Sequence, residues 1–285
     1  MTEYASTAPS NARLRWNAIQ RIARQQTRDT LLGWGFYITA ALAALIAAIL
    51  VYNSVRFTGE SGLNIVSRPF LLPMQAAVAL AILYVTIEAT LVIARPREQG
   101  SLQILFCAPI DEFVLLQAYL LAGVLLFALL SLLLAPVLLL VAAIGNFVIP
   151  AALFWGLIPM ILVAAGSLAF GLFLSAAAPT SRSAILLLVG ALLILLILQA
   201  AYAALLNVPP TARFYDALIF LRVLLRSLQQ LLSWVSPFRM SEVLLDAALR
   251  NDWARIGLQA GIALLGALFW LLAAVWALRR RGVLP

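Results

Sequence analysis

The chain has 285 residues, 65% of them hydrophobic and only 11% charged, with a mean hydropathy of +1.05. Soluble domains average about 45–50% apolar and about 25% charged residues, so this composition describes an all-α polytopic membrane protein. The net charge of +8 rests on 19 arginines, with neither lysine nor histidine. Those arginines are spread among loops between apolar runs, where they report membrane orientation rather than nucleic-acid binding. Without lysine the chain can complete no P-loop phosphate site and form no Schiff base. Without histidine, and with Cys107 as its one cysteine, it offers no His-based metal site, no Cys–His nucleophile pair and no intrachain disulfide. Neither a catalytic residue nor a bound cofactor or metal is expected.

The first thirty residues are polar and lack the pattern of a cleaved signal peptide, so the first apolar run is expected to be a retained span. From Ala12 to Arg28 a helical period places Leu14, Trp16, Ala18, Ile19, Ile22 and Ala23 opposite Arg13, Arg21, Arg24 and Arg28. A basic amphipathic helix of this kind is predicted to lie against membrane lipid, in the headgroup plane of an anionic leaflet; a plain positive-inside anchor is the alternative. At roughly 20 apolar residues per helical span, six spans are predicted near residues 31–52, 70–94, 113–142, 150–177, 183–206 and 256–278. The third is longer than a bilayer needs and contains Pro136, a candidate kink. Arginine clusters before the first span and after the sixth (Arg279, Arg280 and Arg281) put both termini on the cytoplasmic side of a cell membrane. The whole chain, 1–285, reads as one transmembrane domain: an amphipathic leader at 1–30, spans one to five at 31–206, an extracytoplasmic helical loop at 207–255, and span six with a basic tail at 256–285. In that loop an amphipathic helix is predicted over Phe214 to Val235, followed after Pro237 by a short helix from Ser241 to Arg250 with Ser241 as its N-cap.

Between spans two and three lies the one compact polar island, Arg95 to Glu112. Pro96 is expected to stop span two, and Gly100 to turn the backbone. Ser101 would then cap a short helix, Leu102 to Ala108, that places Leu102, Leu105 and Phe106 on one face. Asp111 and Glu112 suit the N-terminus of span three. Glu88, about two turns before the end of span two, is the one carboxylate well inside a span and a candidate polar site. Arg95, seven residues on, falls on roughly the same helical face and favours a structural role for it.

Glu98, Gly100, Ser101, Leu102, Leu105 and Pro109 stand in the order found between the second and third spans of ATP-binding-cassette type-2 permeases, and the chain resembles the membrane domains of such exporters. The layout is similar too: an amphipathic leading helix, six spans, a Gly171-Leu-Phe-Leu-Ser-Ala run closing span four, helices between spans five and six, and an arginine-rich tail. Ser101 stands where threonine is common, and Gln103 where glutamate is. The resemblance implies a permease that works as a dimer, with a second copy or a homologous chain. It also implies a separate cytosolic ABC ATPase subunit that holds ATP and Mg and docks on Arg97, Glu98, Gln99, Gly100, Ser101, Leu102, Leu105 and Phe106. A non-transporting scaffold subunit of a larger membrane complex is the alternative reading.

Overall fold

A computed structural model describes residues 11–61, 70–100, 111–144, 149–206, 220–221, 223–228, 234 and 236–281. Among the described residues every regular element is a helix, and six helices are long and apolar enough to cross a membrane. In chain order they are α1 (Asn11–Leu32), α2 (Trp34–Ser61), α3 (Leu71–Leu91), α4 (Ala94–Glu98), α5 (Glu112–Ile144), α6 (Ala151–Trp155), α7 (Leu157–Ala177), α8 (Ser181–Leu206), α9 (Pro237–Leu249) and α10 (Trp253–Arg281). The six predicted spans correspond to α2, α3 with α4, α5, α6 with α7, α8, and α10.

Two spans are broken, and proline explains where. Pro96 has no N–H to donate to the carbonyl of Val92, one turn back, and its ring crowds that carbonyl. Helix α3 therefore ends at Leu91, and Pro96 sits in the first turn of α4, where a missing N–H costs nothing. The expectation that Pro96 itself stops the span is corrected: the helix breaks one turn earlier and the span continues through Pro96 to Glu98. Pro159 acts the same way on Trp155, so α6 ends at Trp155 and α7 begins beyond Gly156. Pro136, by contrast, is accommodated inside the continuous 33-residue α5.

The core is built around α7, which packs along α10 and against α3 and α5. Leu168, Leu172, Ile82, Leu116 and Phe127 are among its buried side chains. Trp270 of α10 rests edge-on against Phe170 of α7, with ring centroids 4.8 Å apart, so this tryptophan packs between spans. Gly171 brings two span backbones close together: a Cβ there would sit 2.7 Å from the Thr86 carbonyl oxygen and 3.1 Å from the Ala89 Cβ. Two of the span hydroxyls are absorbed locally, Thr86 and Thr90 each donating to the carbonyl four residues back at 2.7 Å.

The N-terminal helix α1 uses its apolar face on protein. Ile19 is buried with Val114 and Ala118 at the head of α5, while Arg13, Arg21, Arg24 and Arg28 are exposed. At the opposite end of the bundle, α9 begins at Pro237, the preferred first helical position for proline. Ser241 is consequently inside the helix and fully buried, donating to the Phe238 carbonyl at 2.7 Å, which corrects its reading as an N-cap. Leu244 and Leu245 of α9 are also buried, and the helix packs against α3, α6, α7 and α10 as a wedge in the bundle end. Most of the amphipathic helix predicted over Phe214 to Val235 lies outside the described residues; 220–221 and 223–228 are helical and mostly exposed.

The α3–α7 approach yields a prediction. Gly171→Ala should cost about 1–3 kcal/mol through overpacking against backbone and lower the melting temperature of the detergent-purified protein. Gly190→Ala on α8, where a Cβ meets nothing within 4 Å, should leave it unchanged or slightly raised.

Candidate functional site

Three spans and the polar island are tied together at one end of the bundle. The break in span two frees the backbone N–H groups of Ile93 and Ala94, and both donate to the Ser175 hydroxyl of α7, at 3.1 and 3.0 Å. Ser175 is fully buried, so water cannot do this job. The favour is returned from α4. The Arg97 guanidinium donates through Nη1 to the carbonyls of Ala176 and Ala178, at 3.1 and 2.7 Å, where α7 ends and its last carbonyls lack helical partners. Arg97 is only 7% exposed. A charged donor on two main-chain acceptors at a helix C-terminus also opposes the negative end of the helix dipole.

The next residue reaches span five. Glu98 accepts from the Ser181 N–H at 3.1 Å, the first residue of α8, putting a carboxylate at a helix N-terminus. Thr180 and Ser183 complete that start: the Ser183 N–H donates to Thr180 Oγ1 and the Thr180 N–H to Ser183 Oγ, each at 3.2 Å, in the reciprocal manner of a capping box. Consecutive side chains of one five-residue helix thus hold the end of span four and the beginning of span five.

Beyond this knot the chain turns outward. Gln99 and Gly100 are exposed, and Gly100 adopts φ +71°, a left-handed conformation that glycine takes without a Cβ penalty. The remaining predicted contact residues, Ser101, Leu102, Leu105 and Phe106, lie outside the described residues, as does the whole predicted helix Leu102 to Ala108. Where the description resumes, Asp111 pairs with Arg15 of α1 at 2.7 Å, and Glu112 lies 4.0 Å from Arg279 of α10. Both pairs are largely solvent-exposed, so each is worth no more than about 1 kcal/mol. Their use is positional, gathering α1, the end of the island and the α10 tail at one face.

A family model described as ABC-2 type transporter matches residues 14–233, from within α1 through span five and into the segment between spans five and six. The chain belongs to the ABC-2 type transporter family. A search of curated proteins gives no match. As an ABC-2 protein with six apolar helices, the chain is a multi-pass membrane protein and the permease component of an ABC transporter.

Within this ABC-2 fold the sequence-predicted residues divide. Arg97 faces the protein interior, Glu98 spans from α4 to α8, and Gln99 with Gly100 form the exposed tip. Glu88 stands apart, on α3 facing α1 and α5. Arg95 attracts it electrostatically, but the turn at Val92 and Ile93 ends their common helical face and they form no ion pair. The residue that sequence reasoning missed is Ser175. It lies in the quoted Gly171-Leu-Phe-Leu-Ser-Ala run, yet a serine in an apolar run gives no hint of a partner 82 positions away.

Arg97→Ala should be the most damaging single change at this end. It leaves α7's last carbonyls buried and loses charge-assisted bonds worth about 1.5–3 kcal/mol each; a fall in folded yield and melting temperature checks it. Arg97→Lys should recover only part, because an ammonium can donate to two carbonyls but its nitrogen sits one bond closer to the backbone than Nη1 does. Ser175→Ala should cost about 1–3 kcal/mol by stranding two N–H groups.

Proposed function

We propose that this chain is the membrane subunit of an ABC exporter, paired with a second copy or a homologous permease. ATP and Mg are held by a separate cytosolic ATPase subunit that docks on the end of the bundle carrying α4. The observation that carries this reading is the exposed tip at Gln99 and Gly100, rooted by Ser175, Arg97 and Glu98 in spans two, four and five. A push on the tip is delivered to three spans at once, because no slack hydrogen bond separates them. In this reading Arg97 positions the docking loop from beneath. Glu98, Gln99 and Gly100, with Ser101, Leu102, Leu105 and Phe106, meet the partner.

The arrangement of arginines supports a cytoplasmic location for that end. Arg13, Arg15, Arg21, Arg24, Arg28, Arg95, Arg97, Arg182, Arg279 and Arg280 gather there, against Arg56, Arg226, Arg239, Arg250 and Arg255 among the described residues on the other side. The excess matches the positive-inside rule, with both termini in the cytoplasm and the protein in the cytoplasmic membrane.

Co-expression with a cognate ABC ATPase subunit tests the docking. Leu105→Asp/Phe106→Asp should weaken capture of the ATPase by more than about tenfold, since an interface that buries unpaired charge loses several kcal/mol. The permease itself should keep its wild-type melting temperature. Undiminished capture by the double variant would exclude this loop as the docking site.

A further inference from the structure

Helix α1 stands beside spans two and three rather than beneath them. Ile19 is buried with Val114 and Ala118 of α5, and Gln26 and Thr30 lie beside Val85 and Glu88 of α3 and Tyr119 of α5. The helix passes into span one with only Gly33 between. Its exposed side therefore looks outward from the flank of the bundle, where a membrane protein meets lipid.

That side is basic. At about 100° per residue, Arg13, Arg24, Arg28 and Arg21 fall within an arc of roughly 80°. At about 1.5 Å per residue they run along roughly 22 Å of helix. All four are exposed, and among the described residues none of them forms an ion pair, whereas Arg15, outside the arc, is committed to Asp111. Asp29, the one acidic residue of α1, lies about 80° from the nearest arginine of the stripe. Large apolar side chains stand exposed at both ends of it: Trp16 at one, and Leu32 with Trp34, 73% and 82% exposed, at the other. Water suits the arginines and not these residues; acyl chains suit the reverse. The surface that suits both is the headgroup region of a leaflet, and four unpaired guanidinium groups favour one made of acidic lipid, whose phosphates match the guanidinium fork.

We propose that Arg13, Arg21, Arg24 and Arg28 bind the phosphates of acidic phospholipids. Charge seats α1 on the leaflet, because α5 already covers its apolar side. The stripe lies on one chain and needs neither the ATPase nor transport, so its test can fail while the exporter reading stands.

The purified full-length permease would be reconstituted in phosphatidylcholine vesicles with a trace of spin-labelled phosphatidylglycerol or spin-labelled phosphatidylcholine, and the motionally restricted fraction of each label compared. Phosphatidylglycerol should be enriched at the protein by about twofold or more in about 0.1 M salt. It should fall toward parity in about 1 M salt, where the Debye length shrinks from about 10 to about 3 Å. Arg21→Gln/Arg24→Gln/Arg28→Gln should remove at least about half of the enrichment, since each arginine near an acidic surface is worth about fivefold to the lipid beside it. Arg239→Gln/Arg250→Gln/Arg255→Gln, which removes equal charge at the other end of the bundle, should leave it in place. Arg24→Gln alone should give part of the loss and decides the matter if the stripe triple variant does not fold. Full enrichment in the folded stripe variants overturns the proposal, as does equal loss in the two triple variants, a response to net charge alone. Lost capture of the ATPase with lipid enrichment intact assigns the stripe to that partner and overturns it likewise.

Discussion

Inside a bilayer an interrupted helix exposes N–H and C=O groups that no water satisfies, each costing several kcal/mol if left unpaired. Span two is interrupted at Val92 and Ile93, and span four runs out at Ala177, at the same depth. The structure resolves both defects with one exchange. Ser175 of span four accepts from the freed N–H groups of Ile93 and Ala94, and Arg97, just past the break, donates to the freed carbonyls of Ala176 and Ala178. Each span end completes the other. The close approach at Gly171 makes this possible, because it brings α7 against α3 one turn before Ser175.

That exchange gives the membrane component of an ABC transporter something its apolar packing lacks. Apolar contacts between helices are non-directional and tolerate sliding, whereas hydrogen bonds to main-chain groups fix register. The bundle is therefore pinned at the α4 end, with spans two, four and five in fixed register. At the other end α9 enters as an apolar wedge carried by Leu244, Leu245 and Met240. A hydrogen-bonded end and a packed end are mechanically unlike, the first fixing register and the second opposing only separation.

Much of this fold could be read directly from residue type. Apolar runs bounded by arginine and proline located six spans to within a few residues, because hydropathy and helix length are set by the bilayer and not by neighbours. Gly100 was legible as a turn, since its surroundings are polar and its need is local. The positions of the breaks were not. Pro96 and Pro159 are visible, but a proline acts on the residue one turn earlier, so the break precedes its cause in the chain. Arg97 was read as surface because arginine in a loop usually is; its burial depends on where span four ends, a tertiary fact. Ser241 looked like a cap because serine follows a proline there, yet Pro237 itself was the better helix start. Ser175 and Glu98 find their partners about 80 positions away, beyond any local pattern.

The separation in sequence between Ile93 or Ala94 and Ser175 also governs how the chain is made. At about 5–20 residues per second, the 81 positions between Ala94 and Ser175 take about 4–16 s to synthesise. Through that interval span two has entered the membrane with its break uncapped and Arg97 without the carbonyls of Ala176 and Ala178. A nascent chain in this condition keeps the polar island at the water-facing surface, where solvent covers the open groups. The exchange can close only once Ser175, Ala176 and Ala178 have been made, so the bonds that join spans two and four wait on most of the first four spans.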